Sequence, residues 1–179
     1  MDIEEKLDRV DINDRVIGST TKNEAHDKGY VHRVVVVYIF NQNGELYLQR
    51  KGKHQFLDHS VGGHVLAGES YDKAAKRESL EELRLNQPFS YIGKVYSDEV
   101  RRHPKHRHIY SIYKGEVPST WQLVPTDEVK ELELMEIRKI INLINTNPKL
   151  FTDGFINTFK LVHHQKDDHS NPPGGHSHY

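Results

Sequence analysis

The sequence predicts a fold of the α/β or α+β class, with a mixed sheet and helices packed against it. Val31–Phe40 is dense in β-branched and aromatic residues, which is typical of a central strand buried on both faces. The glycine pair Gly62-Gly63 leads into a helical pattern with one apolar face. Near the carboxyl end, isoleucines recur at helical spacing over Glu136–Ile144. We expect one domain over residues 1–162.

Composition limits the class of protein. With 179 residues, 35% of them hydrophobic, the chain is expected to form one globular domain with a sizeable core. A formal net charge of -1 argues against a nucleic-acid partner or a basic membrane-binding surface. The chain has no cysteine, which excludes disulfides, thiolate metal sites and cysteine nucleophiles. No apolar run is long enough for a transmembrane helix and the acidic N-terminus is unlike a signal peptide, so we expect a cytoplasmic enzyme.

The first part of the chain is predicted to contain three strands. Val10–Ile17 is expected to be a short strand, and the polar stretch Ser19–Gly29 is expected to be a loop. After the central strand, Asn43-Gly44 is a strong signal for a hairpin turn. Glu45–Arg50 alternates apolar and other residues, which predicts a further strand with its leucines on one face.

The later part is predicted to add strands and two helices to this sheet. The expected strands are Phe89–Val100, Ile109–Val117 and an edge strand near Leu132–Leu134. The expected helices are Glu136–Ile144 and about Thr152–Val162, with a stop at Pro148. Lys51–Ser60 is expected to be a basic loop. The segments Arg50–His54 and Arg101–His108 would attract a polyphosphate if they fold over a binding site. The Pro/Gly/His-rich tail 163–179 is expected to be disordered.

The predicted internal helix carries three glutamates on one face. Ser70 is a suitable N-cap, and at about 100° per residue the carboxylates share their face with small and apolar residues. A merely solvated acidic helix is the alternative interpretation, but its charges would point away from such residues. Like charges at this spacing cost roughly 0.2–0.5 kcal/mol each unless something neutralises them. A hard divalent cation would do so. The three glutamates are Glu78, Glu81 and Glu82.

These residues stand at the spacing of a known signature. Gly63 is followed after five residues by Glu69, after seven more by Arg77-Glu78, and then by Glu81-Glu82. The pattern resembles the Nudix box. Two positions depart from the pattern. Ser79 replaces an aliphatic residue, and Arg84 replaces a glycine that would end the helix in the left-handed conformation, for which we expect Asn86 to substitute.

The resemblance implies an α/β/α sandwich with a mixed sheet, and hydrolysis of a small-molecule diphosphate by water attack at phosphorus. It implies Mg²⁺, with Mn²⁺ as a possible substitute, bound by Glu78, Glu81, Glu82 and the Gly63 carbonyl. The catalytic residues that it implies are Glu78, Glu82, Arg77 and Glu69. Arg77 would orient the carboxylates, while Glu69 would brace the loop or assist proton transfer. The general base stays open among Asp98, Glu99, Glu116, Asp127 and Glu128.

Two alternatives to this hydrolase are considered. Isopentenyl-diphosphate isomerase shares the fold, and its metal site uses histidines near the positions of His26, His32 and His64. Gly62 stands where that enzyme needs a cysteine, and its later glutamates are replaced around His106 and His108. His32 and His64 are therefore either substrate-facing, vestigial or structural, and His26 is expected to be a loop residue. A catalytically silent Nudix-fold binding module is the second alternative, against which the intact glutamates argue.

Overall fold

The computed structural model describes residues 4–99, 103, 105–124, 126, 127, 129 and 131–167, with side chains described as far as 163. Within this part of the chain, nine strands form one mixed sheet and four α-helices pack on it. The strands are β1 (Lys6–Val10), β2 (Val16–Thr21), β3 (His32–Asn41), β4 (Leu46–Lys51), β5 (Phe56–Asp58), β6 (Val61–His64), β7 (Ser90–Asp98), β8 (Arg107–Val117) and β9 (Leu132–Met135). The helices are α1 (Lys22–Lys28), α2 (Tyr71–Leu83), α3 (Ile137–Thr146) and α4 (Asp153–Asp167).

The central strand β3 organises the sheet. It pairs antiparallel with β1, β4 and β6, and parallel with β8, from His32 opposite His108 to Asn41 opposite Val117. Its side chains alternate between two cores, as a strand buried on both faces requires. Val34, Val36 and Tyr38 belong to one core, and Val35, Val37 and Ile39 belong to the other. The predicted central strand and mixed sheet are confirmed.

The helices lie on opposite faces of the sheet. Ala74, Ala75 and Leu83 of α2 pack with the odd-numbered β3 residues. Ile140 of α3 and Phe155 of α4 pack with the even-numbered ones. This is the predicted α/β/α sandwich, and it holds α2 flat against the centre of the sheet.

The amino-terminal predictions are wrong in two respects. Val10–Ile17 is not one strand, because a turn at 11–15 separates β1 from β2, and the Asp11 carboxylate accepts hydrogen bonds from the main-chain N–H groups of Asn13 and Arg15. The second half of the predicted loop Ser19–Gly29 is helix α1. Its ends are capped by the Thr21 side chain and by Gly29 at φ 72°.

Three further predictions need correction. The predicted loop Lys51–Ser60 contains the short strand β5. Helix α4 continues past the predicted end at Val162 to Asp167, so the predicted tail is helical at first, and residues 168–179 lie outside the described part. Arg84 itself adopts the left-handed conformation at φ 54° and caps α2, so Asn86 is not needed there. The other predicted strands, the hairpin turn and helix α3 are confirmed within a few residues.

Candidate active site

The glycine-rich strand β6 lies directly beside the glutamates of α2. Gly62 and Gly63 pair with Val36 and Val35 of β3, and the Glu78 carboxylate lies over Gly63. A Cβ at Gly63 would collide with that carboxylate. Only glycine therefore allows Glu78 to lie so close to the strand.

Arg77 donates hydrogen bonds to three glutamates of the signature and to the residue that follows Gly63. It donates two hydrogen bonds to Glu69, at 3.0 and 2.9 Å, in a bidentate arrangement. It also donates to Glu78 at 2.7 Å, to Glu81 at 3.1 Å and to the main-chain carbonyl of His64 at 3.0 Å. One guanidinium thus fixes the loop before α2, the helix face and the end of β6 relative to one another.

Glu82 is held by its second oxygen alone. Its Oε2 accepts hydrogen bonds from the Gln49 side chain at 2.7 Å and the Gly62 N–H at 3.0 Å. Its Oε1 faces the ammonium of Lys51 at 3.8 Å. The side chain is only 8% exposed, so this carboxylate is largely withdrawn from solvent.

The buried carboxylates have perturbed pKa values. Burial, opposed by Arg77 and reinforced by the neighbouring glutamates, raises the pKa of Glu78 to about 7. Burial also raises the pKa of Glu82, although Lys51 opposes the change. Carboxylates that are crowded and desolvated in this way fit a hard divalent cation, which takes oxygen ligands and cancels their repulsion. The donor set therefore suits the expected metal.

Only some of the predicted ligands line one pocket. Glu78, Glu82 and Gly63 line a pocket of about 770 Å³. The Glu81 side chain is 43% exposed and turns toward Arg77, and it is not among the described residues that line this pocket. Arg77 and Glu69 stand behind the carboxylates. The catalytic and metal-binding roles of these residues remain predictions.

Basic residues from the β4–β5 segment also line the pocket. Arg50, Lys51 and Lys53 line the pocket. This is the position in which the predicted basic loop could attract a polyphosphate. Arg50 is paired with Glu133, and Lys51 approaches Asp58 at 3.7 Å as well as Glu82. Residues 101 and 102 of the second basic loop lie outside the described part.

Four histidines form a cluster, and three of them, His26, His64 and His108, line the same pocket. They are His26 of α1, His32 of β3, His64 of β6 and His108 of β8, and one ligand atom from each lies within 4.8 Å of the others. Burial and neighbouring positive or potentially positive groups lower the pKa values of His26 to about 4, His32 to about 3 and His64 to about 2. The prediction that His26 is a loop residue is wrong, since it lies on α1.

Of the candidate bases, Glu99 alone among those described lines the pocket. It accepts hydrogen bonds from His108, at 2.8 Å, and from the Tyr110 hydroxyl. Burial raises its pKa, but these hydrogen bonds and the histidine charge outweigh burial and leave the pKa below its ordinary value. Asp98, Glu116 and Asp127 are exposed, and Glu128 lies outside the described part.

Sequence reasoning missed several residues of the site. Gln49 and Tyr110 reach it only through tertiary packing, and no local pattern marks them, whereas Lys51 belongs to the predicted basic loop. His108 had a usable signal, because His106 and His108 are two residues apart at the start of a predicted strand and so share a face.

The chain is an α/β sandwich domain in which buried glutamates of a helix face a pocket. The family itself follows from the sequence. The family model described as the NUDIX domain matches residues 30–154, and the chain therefore belongs to the Nudix family.

Similar proteins include both isomerases and hydrolases of the family. An isopentenyl-diphosphate Delta-isomerase of Pectobacterium atrosepticum is 33% identical over 164 residues, which cover 86% of this chain and 88% of that protein. A prenyl-diphosphate phosphatase of Methanosarcina mazei is 24% identical over 86% of this chain and 95% of its own. A crystal structure from Deinococcus radiodurans superposes with a TM-score of 0.63 at 25% identity, covering 80% of this chain and 90% of that one. In the described part of the chain, no helix is both long and apolar enough to cross a membrane.

Proposed function

We propose that the chain is a magnesium-dependent hydrolase that cleaves the diphosphate linkage of a nucleoside diphosphate derivative or a related diphosphate. The observation that carries this proposal is the pair of buried carboxylates, Glu78 and Glu82, that lines the pocket. The hydrolases among the Nudix relatives support the general activity.

Each residue of the site has a proposed role. Glu78 and Glu82 would hold Mg²⁺ or Mn²⁺, with the Gly63 carbonyl and Glu81 as further ligands. When bound, the ion neutralises phosphate charge and lowers the pKa of water. Arg77 would keep Glu78 in place, and Glu69 would keep Arg77 in place through its bidentate hydrogen bonds.

Lys51 is suited to a role in substrate binding. Its ammonium donates to the Gly62 carbonyl at 3.4 Å and lies between Asp58 and Glu82. A diphosphate bound at the glutamates would lie close to this positive charge. Attraction of that kind favours binding of an anion and spreads the charge that develops at phosphorus.

Isopentenyl-diphosphate isomerase activity is the second candidate, and the 33% identity to an isomerase over most of both chains favours it. The chemistry of the site argues against it. Protonation of an alkene needs positioned acid and base groups. Gly62 stands where the isomerase carries its cysteine, and the chain has no cysteine elsewhere. The similarity to enzymes of prenyl diphosphates supports including such compounds among the test substrates.

A screen of the full chain with magnesium tests these alternatives together. The panel contains nucleoside diphosphate derivatives and prenyl diphosphates, and released phosphate or nucleoside monophosphate is followed. Isopentenyl diphosphate is assayed separately for conversion to dimethylallyl diphosphate. Hydrolysis of one compound that stops on chelation supports the proposal. Isomerisation without hydrolysis would replace it, and binding of a diphosphate without turnover would favour the silent binding module.

A further inference from the structure

Lys51 lies at nearly equal distances from two largely buried carboxylates. Its Nζ is 3.7 Å from Oδ2 of Asp58 and 3.8 Å from Oε1 of Glu82. The ammonium also donates a hydrogen bond to the Gly62 carbonyl at 3.4 Å. One positive charge therefore lies near two negative ones, and neither carboxylate holds it in a short ion pair. The proposed hydrolysis uses Lys51 and Glu82 but gives no role to Asp58.

The two carboxylates are fixed in the same way. Glu82 accepts two hydrogen bonds through Oε2 and presents Oε1 to Lys51. Asp58 accepts a hydrogen bond through Oδ1 from the Thr152 hydroxyl at 2.7 Å, and the same oxygen lies 2.7 Å from Nδ1 of His59. Its other oxygen, Oδ2, faces Lys51. Each carboxylate is thus held by one oxygen and presents the other to the same ammonium.

The histidine that contacts Asp58 is anchored in the core. His59 is only 3% exposed, and its Nε2 lies 2.7 Å from the Thr158 hydroxyl of α4. That hydroxyl also lies 2.7 Å from the hydroxyl of Tyr38, which is fully buried on β3. The position of Asp58 is therefore set by the core of the domain and not by Lys51.

An ammonium and a divalent cation would compete for the same oxygen of Glu82. Among the described residues, none donates a hydrogen bond to Oε1, which is the oxygen that Lys51 faces. A lysine without another counter-ion would close on this oxygen, because the attraction between opposite charges is strongest at contact. A second carboxylate, fixed at nearly the same distance from Nζ, opposes that closure with an attraction of similar size.

We propose that Asp58 is a positioning residue that holds the Lys51 ammonium off Glu82 and so leaves Oε1 of Glu82 to the metal ion. This role rests on the proposed function, because it concerns how the carboxylate site is kept open for Mg²⁺. Asp58 is not itself a ligand of the ion. It acts through Lys51, whose charge then stays beside the site at which a diphosphate would bind.

Magnesium binding to the full chain tests this role without reference to turnover. Mg²⁺ is titrated at constant ionic strength, and its dissociation constant follows from the stabilisation of the chain against thermal unfolding. Asp58→Asn is the main variant, because the oxygen that it keeps can retain the contacts with Thr152 and His59 while the charge is lost. Asp27→Asn is the matched control, because Asp27 is exposed and is not among the described residues that line the pocket.

The expected loss of affinity depends on the ammonium. Asp58→Asn should raise the Mg²⁺ dissociation constant by about tenfold, as is typical when a residue that supports a metal ligand is removed. In a Lys51→Met background, the same substitution should change the constant by less than about threefold, because no competing charge is left. Asp27→Asn should leave it unchanged. A metal-free crystal structure of Asp58→Asn should show Nζ of Lys51 at hydrogen-bond distance from Oε1 of Glu82.

The outcomes separate this role from the proposed hydrolase. An unchanged dissociation constant in folded Asp58→Asn would overturn the role of Asp58, and Asp58→Ser provides the same comparison if Asp58→Asn does not fold. Equal losses in the two backgrounds would also overturn it, since Asp58 would then attract the ion directly. Absence of magnesium-dependent stabilisation in the parent would overturn both this role and the metal dependence of the hydrolase. The expected pattern in a chain that hydrolyses no diphosphate would refute only the proposed hydrolase.

Discussion

Glu82→Gln tests the carboxylate site with a minimal change. Because Glu82 Oε2 accepts both hydrogen bonds, from Gln49 and Gly62, the amide oxygen of glutamine can take over that position. Only Oε1, which faces Lys51 at 3.8 Å, is replaced by an NH₂ group. The substitution therefore removes the charge of one proposed ligand atom and keeps the local structure.

The magnitudes follow from this geometry. Losing one electrostatic contact to the transition state typically lowers turnover by about 10²–10³, or roughly 3–4 kcal/mol. Stability without metal should change little. The lost pair with partly exposed Lys51 contributes about 0–1 kcal/mol. Its loss is offset because a desolvated charge, whose pKa burial raises, no longer has to be buried.

The assay measures turnover at saturating magnesium on the best substrate and metal-free melting on the same preparation. Glu136→Gln is the matched control, because this exposed residue at the start of α3 makes no side-chain capping hydrogen bond. We expect lost turnover in Glu82→Gln alone, with both melting temperatures near that of the parent. Near-parental turnover of Glu82→Gln at saturating magnesium would refute the assignment of Glu82 as a ligand.

Three further predictions concern the same pocket. Gly63→Ala should lower metal affinity at little cost in stability, because its Cβ would displace only the carboxylate end of the flexible Glu78 side chain. Gly18→Ala, which has open space, should leave metal affinity unchanged, and equal metal titrations of the two variants would contradict this. Glu78 has a folded pKa of about 7 against an ordinary 4.5, so the metal-free chain should lose up to about 3 kcal/mol as pH rises through this range. Glu78→Gln should remove that slope in pH-dependent unfolding, and parallel curves would show the pKa to be wrong. Because Gly62 cannot transfer a proton, no dimethylallyl diphosphate should form from isopentenyl diphosphate above a metal-only control, and its formation would refute the exclusion of isomerase activity.

The parts of the fold that sequence predicts are those specified by local pattern. β3 is predicted because ten consecutive residues suit a strand buried on both faces, and α2 because its cap and its apolar face agree. Helix α1 was missed because Ala25 is its only buried residue, which leaves no apolar periodicity to detect. The left-handed Arg84 was missed because a non-glycine residue there is uncommon.

The candidate site likewise contains residues that a local pattern predicts and residues that only tertiary packing brings together. The carboxylates lie on one helix, and a single spacing rule identifies them. The histidine cluster takes its members from α1, β3, β6 and β8, so only the assembled sheet brings them together. Gln49 and Lys51 contact Glu82 across more than thirty residues of chain, and no sequence rule of short range relates such positions.

The double burial of β3 restricts how this chain can change in length. Inserting one residue within Val34–Val37 would exchange the faces of every side chain on one side of the insertion. Both cores would then receive residues shaped for the other, and the register that sets His32 beside His108 would shift. β3 should therefore accept substitutions but neither insertions nor deletions.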